Sequence, residues 1–199
     1  MSSEQIKDFS DVVVVSGLPR SGTSMLMKML VAGGCPILTD EIRSADEDNP
    51  KGYFEFEPVK DLEKSEDKSW LERARGKAVK IVSPLLKHLP SDGYRYRVLF
   101  MRRNMNEILA SQKKMLQRRG EPTDATDDGA MFDFFIRHLS NVQQFLEVHP
   151  GFSVCYFHFG EMIESPQEQA ERLEEFLDLG LDRRAMAAEV DSSLYRNRA

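Results

Sequence analysis

The chain has 199 residues, of which 41% are hydrophobic and 30% charged, and its formal net charge is −6 at pH 7. This length suffices for one domain with a buried core, so we expect residues 1–199 to form a single domain. The negative charge argues against a general attraction to nucleic acid or to an anionic membrane surface.

Hydrophobic periodicity predicts strands that alternate with helices along the chain. The first strand contains four consecutive valines, a pattern typical of a buried parallel strand. Asn104 and Glu107 have the spacing of a capping box at a helix start. The predicted strands are 12–16, 78–82, 97–101 and 152–157, and the main helices are 23–31, 104–119, 131–148 and 166–179. The alternation predicts a three-layer α/β fold with a central, mainly parallel sheet flanked by helices.

One helix carries an aromatic cluster that has two possible interpretations. The cluster consists of Phe132, Phe134, Phe135, Ile136 and Leu139. It could line a ligand pocket, but packing of the helix against the core is the favoured prediction.

The loop between the first strand and the first helix has the sequence Gly-Leu-Pro-Arg-Ser-Gly-Thr-Ser over residues 17–24. Its glycine spacing resembles a P-loop, in which backbone N–H groups and a helix N-terminus bind phosphate. The lysine that follows the second glycine in a P-loop is missing, and Arg20 supplies a cation within the loop instead. We predict a P-loop-like fold in which a 5′-phosphate is bound by Ser21, Gly22, Thr23 and Ser24. A tight turn without a ligand is the alternative.

The third strand runs into Arg102 and Arg103, where many P-loop enzymes have an Asp that helps to hold Mg²⁺. Ser111 lies eight residues after Arg103, about two turns into the next helix. An arginine and a serine so placed can bind one phosphate from two sides. The alternative is that the arginines are surface charges and Ser111 is a solvated position.

These motifs resemble those of sulfotransferases that use 3′-phosphoadenosine 5′-phosphosulfate. Residues 17–24 are similar to the 5′-phosphosulfate loop of that family, in the Pro-Arg-Ser-Gly-Thr form of bacterial and tyrosyl-protein members. Residues 103–111, Arg-Asn-x-x-Glu-x-x-x-Ser, are similar to its 3′-phosphate motif, and residues 156–179 resemble a late strand–proline–helix segment. The resemblance implies metal-independent sulfuryl transfer to a hydroxyl or amine, with adenosine 3′,5′-bisphosphate as the product.

The resemblance also implies which residues take part in the chemistry. Arg20 and a lysine near the transferring group would stabilise the leaving group. Lys80 matches that family lysine, and Lys77 competes for the role. The cytosolic branch of the family has its histidine base two residues after this lysine, where this chain has Val82.

The general base must therefore come from another segment. Residues 49–55, Asn-Pro-Lys-Gly-Tyr-Phe-Glu, resemble a segment of related bacterial enzymes in which a glutamate serves as base. This makes Glu55 the first candidate, Glu57 the second and His88 the third. The alternative is that both acids belong to a solvated edge.

The C-terminal residues offer one further candidate for binding the nucleotide. Arg196 could close over the nucleotide, although a frayed C-terminal tail is equally consistent.

The acceptor, a small-molecule or carbohydrate-like compound, should be selected by residues 37–77 and 117–132. A P-loop kinase or nucleotide phosphotransferase and a non-catalytic nucleotide-binding module are the alternative functions.

The remaining composition bears on compartment and partners. Cys35 and Cys155 have no metal-ligand spacing, which predicts reduced thiols in a reducing compartment. The polar N-terminus has no apolar signal core, and no stretch is long enough to cross a bilayer. We therefore expect a cytoplasmic protein with no metal, nucleic acid or membrane partner. The sequence does not determine its oligomeric state.

Overall fold

The computed structural model describes residues 10–40, 54–122 and 127–191. Four parallel strands form one sheet in the order β2-β1-β3-β4. They are β1 (Val12–Gly17), β2 (Ala78–Lys80), β3 (Tyr96–Arg102) and β4 (Phe152–His158). The helices are α1 (Thr23–Ala32), α2 (Glu57–Lys60), α3 (Trp70–Ala74), α4 (Met105–Arg118), α5 (Asp128–Val148), α6 (Phe159–Glu164), α7 (Pro166–Leu177) and α8 (Arg183–Ala188), with a 3₁₀ helix at Ser83–His88.

Both faces of the sheet are covered, which is why β1 can consist of consecutive valines. Val12 and Val14 pack into one core with residues of α3 and α5, and Val13 and Val15 pack into a second core with residues of α1, α7 and α8. All four valines are 0% exposed. The predicted three-layer α/β fold with a parallel sheet is confirmed.

The parallel pairing brings the carboxyl ends of the strands to one edge of the sheet. Gly17 is aligned with Met101, and Val15 with Lys80. The chain leaves β1 for β2 on one side and later returns to β3 on the other side. This change of direction opens a crevice at the carboxyl end of β1, where open α/β sheets bind ligands.

The predicted strands and main helices all occur, with shifted boundaries. β2 ends at Lys80, two residues before the predicted end, because the chain turns into the 3₁₀ helix with Pro84 in its first turn. The last predicted helix ends at Leu177, where Asp178 adopts a left-handed conformation with φ 52°. The short helices α6 and α8 were not predicted, since neither is long enough to show a clear period.

The aromatic cluster of α5 is only partly in the core. Phe135 is buried, but Phe134 is 57% exposed and Ile136 is 47% exposed. The prediction of core packing is therefore wrong for these two residues. With 3.6 residues per turn they fall on either side of the face that carries Phe135, Val142 and Leu146 to the core.

Two further predictions concern covalent and membrane features. Cys35 and Cys155 are free cysteines that no disulfide joins. None of the helices in the described part of the chain combines the length and the apolar character that crossing a bilayer requires.

One polar contact joins α5 to the 3₁₀ helix beside the sheet. Ser83 Oγ lies 2.8 Å from His138 Nε2, and Ser83 is only 1% exposed. Burial lowers the pKa of His138 below its ordinary value of 6.5, and the nearby charge of Lys87 adds to this effect. The imidazole is consequently neutral in the folded protein at neutral pH.

This lowered pKa predicts a pH dependence of stability. Between its lowered pKa and about 6.5, His138 binds more protons in the unfolded chain than in the folded one. Its contribution to the free energy of unfolding is therefore complete above this window and is lost as the pH falls through it. Urea unfolding from about pH 8 to about pH 5 should show a steeper decline for the wild type than for His138→Gln. Parallel declines would contradict the prediction.

Candidate functional site

A cavity of about 350 Å³ lies at the carboxyl edge of the sheet. Its walls come from the loop after β1, from α1 and α2, and from the segments that follow β2, β3 and β4. The predicted site residues that line it are Arg20, Gly22, Thr23, Ser24, Glu55, Lys80 and Arg103. Arg196 lies outside the described residues.

The loop after β1 presents the N-terminus of α1 to this cavity. Gly22 caps α1 with a left-handed φ of 107°, and a Cβ at this position would lie 2.6 Å from the ring of Phe159. Only glycine fits both the conformation and the space. The first turn of α1 contains no acidic residue, so no carboxylate of the helix itself offsets its positive end. This arrangement suits an anion.

Two of the predicted serines lie beneath the cavity and do not line it. Ser21 is 0% exposed, and its N–H donates to the carbonyl of Leu18 at 3.1 Å. Ser111 is 5% exposed, and its hydroxyl accepts a 2.9 Å hydrogen bond from Nε of Arg20. Ser21 thus closes the turn of the loop, and Ser111 holds the Arg20 side chain against α4.

Arg20 occupies a strained position that a second arginine supports. Its φ is 72°, a left-handed conformation that is uncommon for residues other than glycine. The carbonyl of Arg20 accepts a 3.2 Å hydrogen bond from Nη1 of Arg103. Together with the Ser111 contact, this bond ties the loop to α4 and to the end of β3.

Arg103 and Arg102 point in different directions, although they are neighbours in sequence. Nε of Arg103 donates a 2.8 Å hydrogen bond to Oε2 of Glu107, and the guanidinium of Arg103 lies 4.1 Å from the ring centroid of Phe159. Arg102 instead lies 4.0 Å from the ring of Tyr156 and donates to Gln143 at 2.8 Å. Only Arg103 lines the cavity.

The capping-box prediction for α4 is correct at one of its two positions. Asn104 is the N-cap and accepts a hydrogen bond from the N–H of Asn106 at 2.9 Å. Glu107 forms an ion pair with Arg103, in which the two side chains are 5% and 8% exposed. Spacing alone cannot distinguish a capping glutamate from one that pairs with an arginine four residues earlier.

The structure separates the three candidate bases. Glu55 lines the cavity, is 23% exposed and lies 3.7 Å from Nζ of Lys60. Glu57 is 53% exposed and pairs with Lys60 at 2.7 Å on the outer surface, and His88 lies 3.8 Å from Glu63. Neither Glu57 nor His88 lines the cavity.

The two candidate lysines are also separated. Lys80 ends β2 at the carboxyl edge and lines the cavity. Lys77 precedes β2, so it lies at the opposite end of this strand, where its carbonyl accepts a hydrogen bond from Val13. The strand direction therefore puts Lys80, the lysine favoured by the sequence, at the cavity and Lys77 at the other end of the strand.

The cavity lining includes residues that the sequence did not indicate as site residues, among them Lys28, Arg119 and Phe159. Lys28 is 8% exposed and lies one turn after Ser24, and Arg119 lies two turns after Ser111. Helical periodicity extended from the predicted serines could have found both. Phe159 follows β4 at the start of α6, and nothing in the sequence indicates that it approaches Gly22.

Comparison with known proteins identifies the family and the fold of the chain. The family model described as "Sulfotransferase domain" matches residues 10–197 of the chain. Three solved structures share the fold. The sulfotransferase domain from the curacin biosynthetic pathway is 13% identical, with 97% of this chain and 93% of that chain covered and a TM-score of 0.50. Mouse sulfotransferase SULT7A1 complexed with PAP is 13% identical, with 95% and 67% covered and a TM-score of 0.52. A sulfotransferase from Alicyclobacillus acidocaldarius is 16% identical, with 85% and 81% covered and a TM-score of 0.51.

A search of curated proteins finds no match to this chain. The family match nevertheless extends over nearly the whole chain. The chain therefore belongs to the sulfotransferase family, and it is a transferase of sulfuryl groups. The alternative prediction of a P-loop kinase is not favoured.

The buried ion pair predicts a structural role for Glu107. Glu107→Ala would leave the charge of Arg103 buried without its carboxylate, which should lower the free energy of unfolding by about 3–5 kcal/mol. Urea denaturation measures this change. Glu72→Ala removes an exposed partner of Arg75 and should change stability far less, because water screens that pair. Equal losses in the two variants would show that the buried pair has no special role.

Proposed function

We propose that the sulfuryl donor is 3′-phosphoadenosine 5′-phosphosulfate and that adenosine 3′,5′-bisphosphate is the product. The observation that carries this proposal is the hydrogen bond from Arg103 to the carbonyl of Arg20, at 3.2 Å. This bond supports the proposal because it joins the two segments that resemble the family's 5′-phosphosulfate and 3′-phosphate motifs. The description of the mouse neighbour as complexed with PAP supports the same donor class.

The cavity residues divide between the two phosphate-bearing ends of such a donor. Gly22, Thr23 and Ser24 would hold the 5′-phosphosulfate at the N-terminus of α1, where a dipole and N–H groups favour an anion. Arg103 would bind the 3′-phosphate, with Ser111 beneath it. Ser21 and Ser111, which lie under the cavity, would support the loop and the side chain of Arg20.

The same cavity holds the groups that the transfer requires. Glu55 would take the proton from the acceptor hydroxyl. The oxygen of that hydroxyl would form a bond to sulfur while the bond from sulfur to the 5′-phosphate oxygen breaks. Lys80 and Arg20 would stabilise the negative charge that collects on the leaving phosphate. The products are a sulfate ester and adenosine 3′,5′-bisphosphate, with the acceptor proton on Glu55.

Calorimetric titration with adenosine 3′,5′-bisphosphate tests the donor. We expect binding without added metal, and a loss of at least about tenfold in affinity in Arg103→Ala, because a charge-assisted contact to phosphate is removed. Arg102→Ala is the matched control and should bind as the wild type does, since Arg102 points away from the cavity. Circular dichroism should first show that the variants are folded.

ATP with Mg²⁺ serves as the competing ligand in the same titration. Tight binding of ATP·Mg²⁺ and indifference to the 3′-phosphate would contradict the proposed donor. Equal loss of bisphosphate affinity in Arg102→Ala and Arg103→Ala would contradict the assignment of the 3′-phosphate site to Arg103.

The assignment of the base is tested by a pair of neighbouring glutamates. With an acceptor found by screening hydroxyl compounds, Glu55→Gln should lower kcat by about 100-fold or more, because the proton acceptor is removed. Its affinity for the bisphosphate should stay near that of the wild type. Glu57→Gln is the control and should keep its turnover, since Glu57 lies outside the cavity. A Glu55→Gln variant with unchanged kcat would remove Glu55 from the mechanism.

A further inference from the structure

A buried carboxylate lies directly behind the arginine that is proposed to bind the 3′-phosphate. Oε2 of Glu107 accepts a 2.8 Å hydrogen bond from Nε of Arg103. The side chain of Glu107 is 5% exposed and that of Arg103 is 8% exposed. Arg103 lines the cavity and Glu107 lies outside the lining. Glu107 would therefore influence a bound nucleotide through Arg103 and not by contact.

The charge of this carboxylate is unfavourable for an anion site. A negative charge that is one guanidinium away from a phosphate repels it, and burial reduces the screening of that repulsion by water. A carboxylate in the first turn of α4 also stabilises the helix, but an exposed side chain would do this as well. Neither effect explains why Glu107 is buried against Arg103.

The contacts around Arg103 give a physical reason for this carboxylate. Glu107 holds Nε, the carbonyl of Arg20 accepts a hydrogen bond from Nη1 at 3.2 Å, and the guanidinium lies 4.1 Å from the ring centroid of Phe159. Contacts on two edges and one face fix the orientation of a planar group. The rotamer freedom of this long side chain is thus restricted before a ligand arrives, which lowers the entropic cost of binding.

The surface of the protein carries a comparable pair without this burial. Nε of Arg75 lies 2.8 Å from Oε2 of Glu72, but the two side chains are 33% and 60% exposed. Such a pair is screened by water and has little effect on where its arginine points. Burial is consequently what distinguishes the carboxylate behind Arg103.

We propose that Glu107 is a positioning residue that gives the cavity its selectivity for nucleotides with a 3′-phosphate, because it fixes the guanidinium of Arg103 towards that phosphate. This inference rests on the proposed donor. The 5′ end of the nucleotide is assigned to the N-terminus of α1, so the effect of Glu107 is concentrated on the 3′ end.

The selectivity is measured with two nucleotides that differ only in the 3′-phosphate, adenosine 3′,5′-bisphosphate and adenosine 5′-phosphate. Each is titrated calorimetrically into the wild type, Glu107→Ala and Glu107→Gln, and the ratio of the two dissociation constants is compared. Arg103→Ala gives the ratio that remains when the 3′-phosphate contact is lost. Glu72→Gln is the matched control, since it removes the charge of the exposed pair.

Glu107→Ala should lower the preference for the bisphosphate by at least about tenfold, to near the value for Arg103→Ala, because Arg103 loses its fixed orientation. Glu107→Gln keeps an acceptor for Nε without the charge, so a smaller loss of about threefold is expected. In both variants the affinity for adenosine 5′-phosphate should change by less than about twofold, because the helix N-terminus binds the 5′ end. Glu72→Gln should keep the ratio of the wild type.

The direction of the change separates positioning from charge. Removal of a nearby negative charge, acting alone, would tighten bisphosphate binding in both Glu107 variants, and this result would overturn the proposal. An equal loss of affinity for both nucleotides would show a purely structural role and would overturn it too. Where circular dichroism shows that Glu107→Ala is unfolded, Glu107→Gln decides, since it preserves the shape of the side chain. An unchanged ratio in that variant would then contradict the positioning role.

The same titration separates this inference from the proposed donor. Failure of the bisphosphate to bind the wild type would overturn the donor, and the selectivity with it. Tight binding of the bisphosphate with a ratio that does not depend on Glu107 would overturn only the role of Glu107.

Discussion

The guanidinium of Arg103 lies between groups from three different parts of the fold. It pairs with the carboxylate of Glu107 in α4, stacks on the ring of Phe159 at the start of α6, and donates to the carbonyl of Arg20 in the loop after β1. An arginine can satisfy these partners together because its planar fork offers several donors and a flat face. The position of this side chain therefore links the loop after β1 to α4 and to the start of α6 around the cavity.

The site is positive although the protein is acidic. The net charge of the chain is −6, yet the described cavity lining contains six arginine and lysine side chains and one carboxylate, that of Glu55. Glu107 is buried at the back of Arg103 and outside the lining, so its charge positions the arginine without facing the cavity. Local concentration of cations at the positive end of α1 makes this cavity suitable for an anion although the net charge of the chain is negative.

The layers of the fold explain why one cavity is lined by polar side chains on one side and by apolar side chains on the other. The segments after β1 and β3 bring polar groups to the carboxyl edge, whereas α2 and the 3₁₀ helix belong to the hydrophobic core on one face of the sheet. Where that core reaches the carboxyl edge of the sheet, Phe56, Val59 and Leu85 line the cavity together with Glu55. The polar side therefore comes from strand ends and loops, and the apolar side comes from core residues that are partly uncovered.

The sequence by itself determined the alternation of strands and helices, the glycine loop after β1 and the motif from Arg103 to Ser111, because these depend on local spacing and backbone geometry. It ranked Arg103, Lys80 and Glu55 first among their neighbours but could not show which of these side chains reach the cavity, since that depends on which end or face of an element meets it. It also placed Phe134 and Ile136 in the core, because an apolar residue type does not reveal on which face of α5 it lies. Only the tertiary structure decided which side chains reach the cavity or the core, because contacts such as those between Arg20 and Ser111 and between Arg103 and Arg20 join residues more than 80 positions apart, and such pairs leave no periodic signal in one sequence.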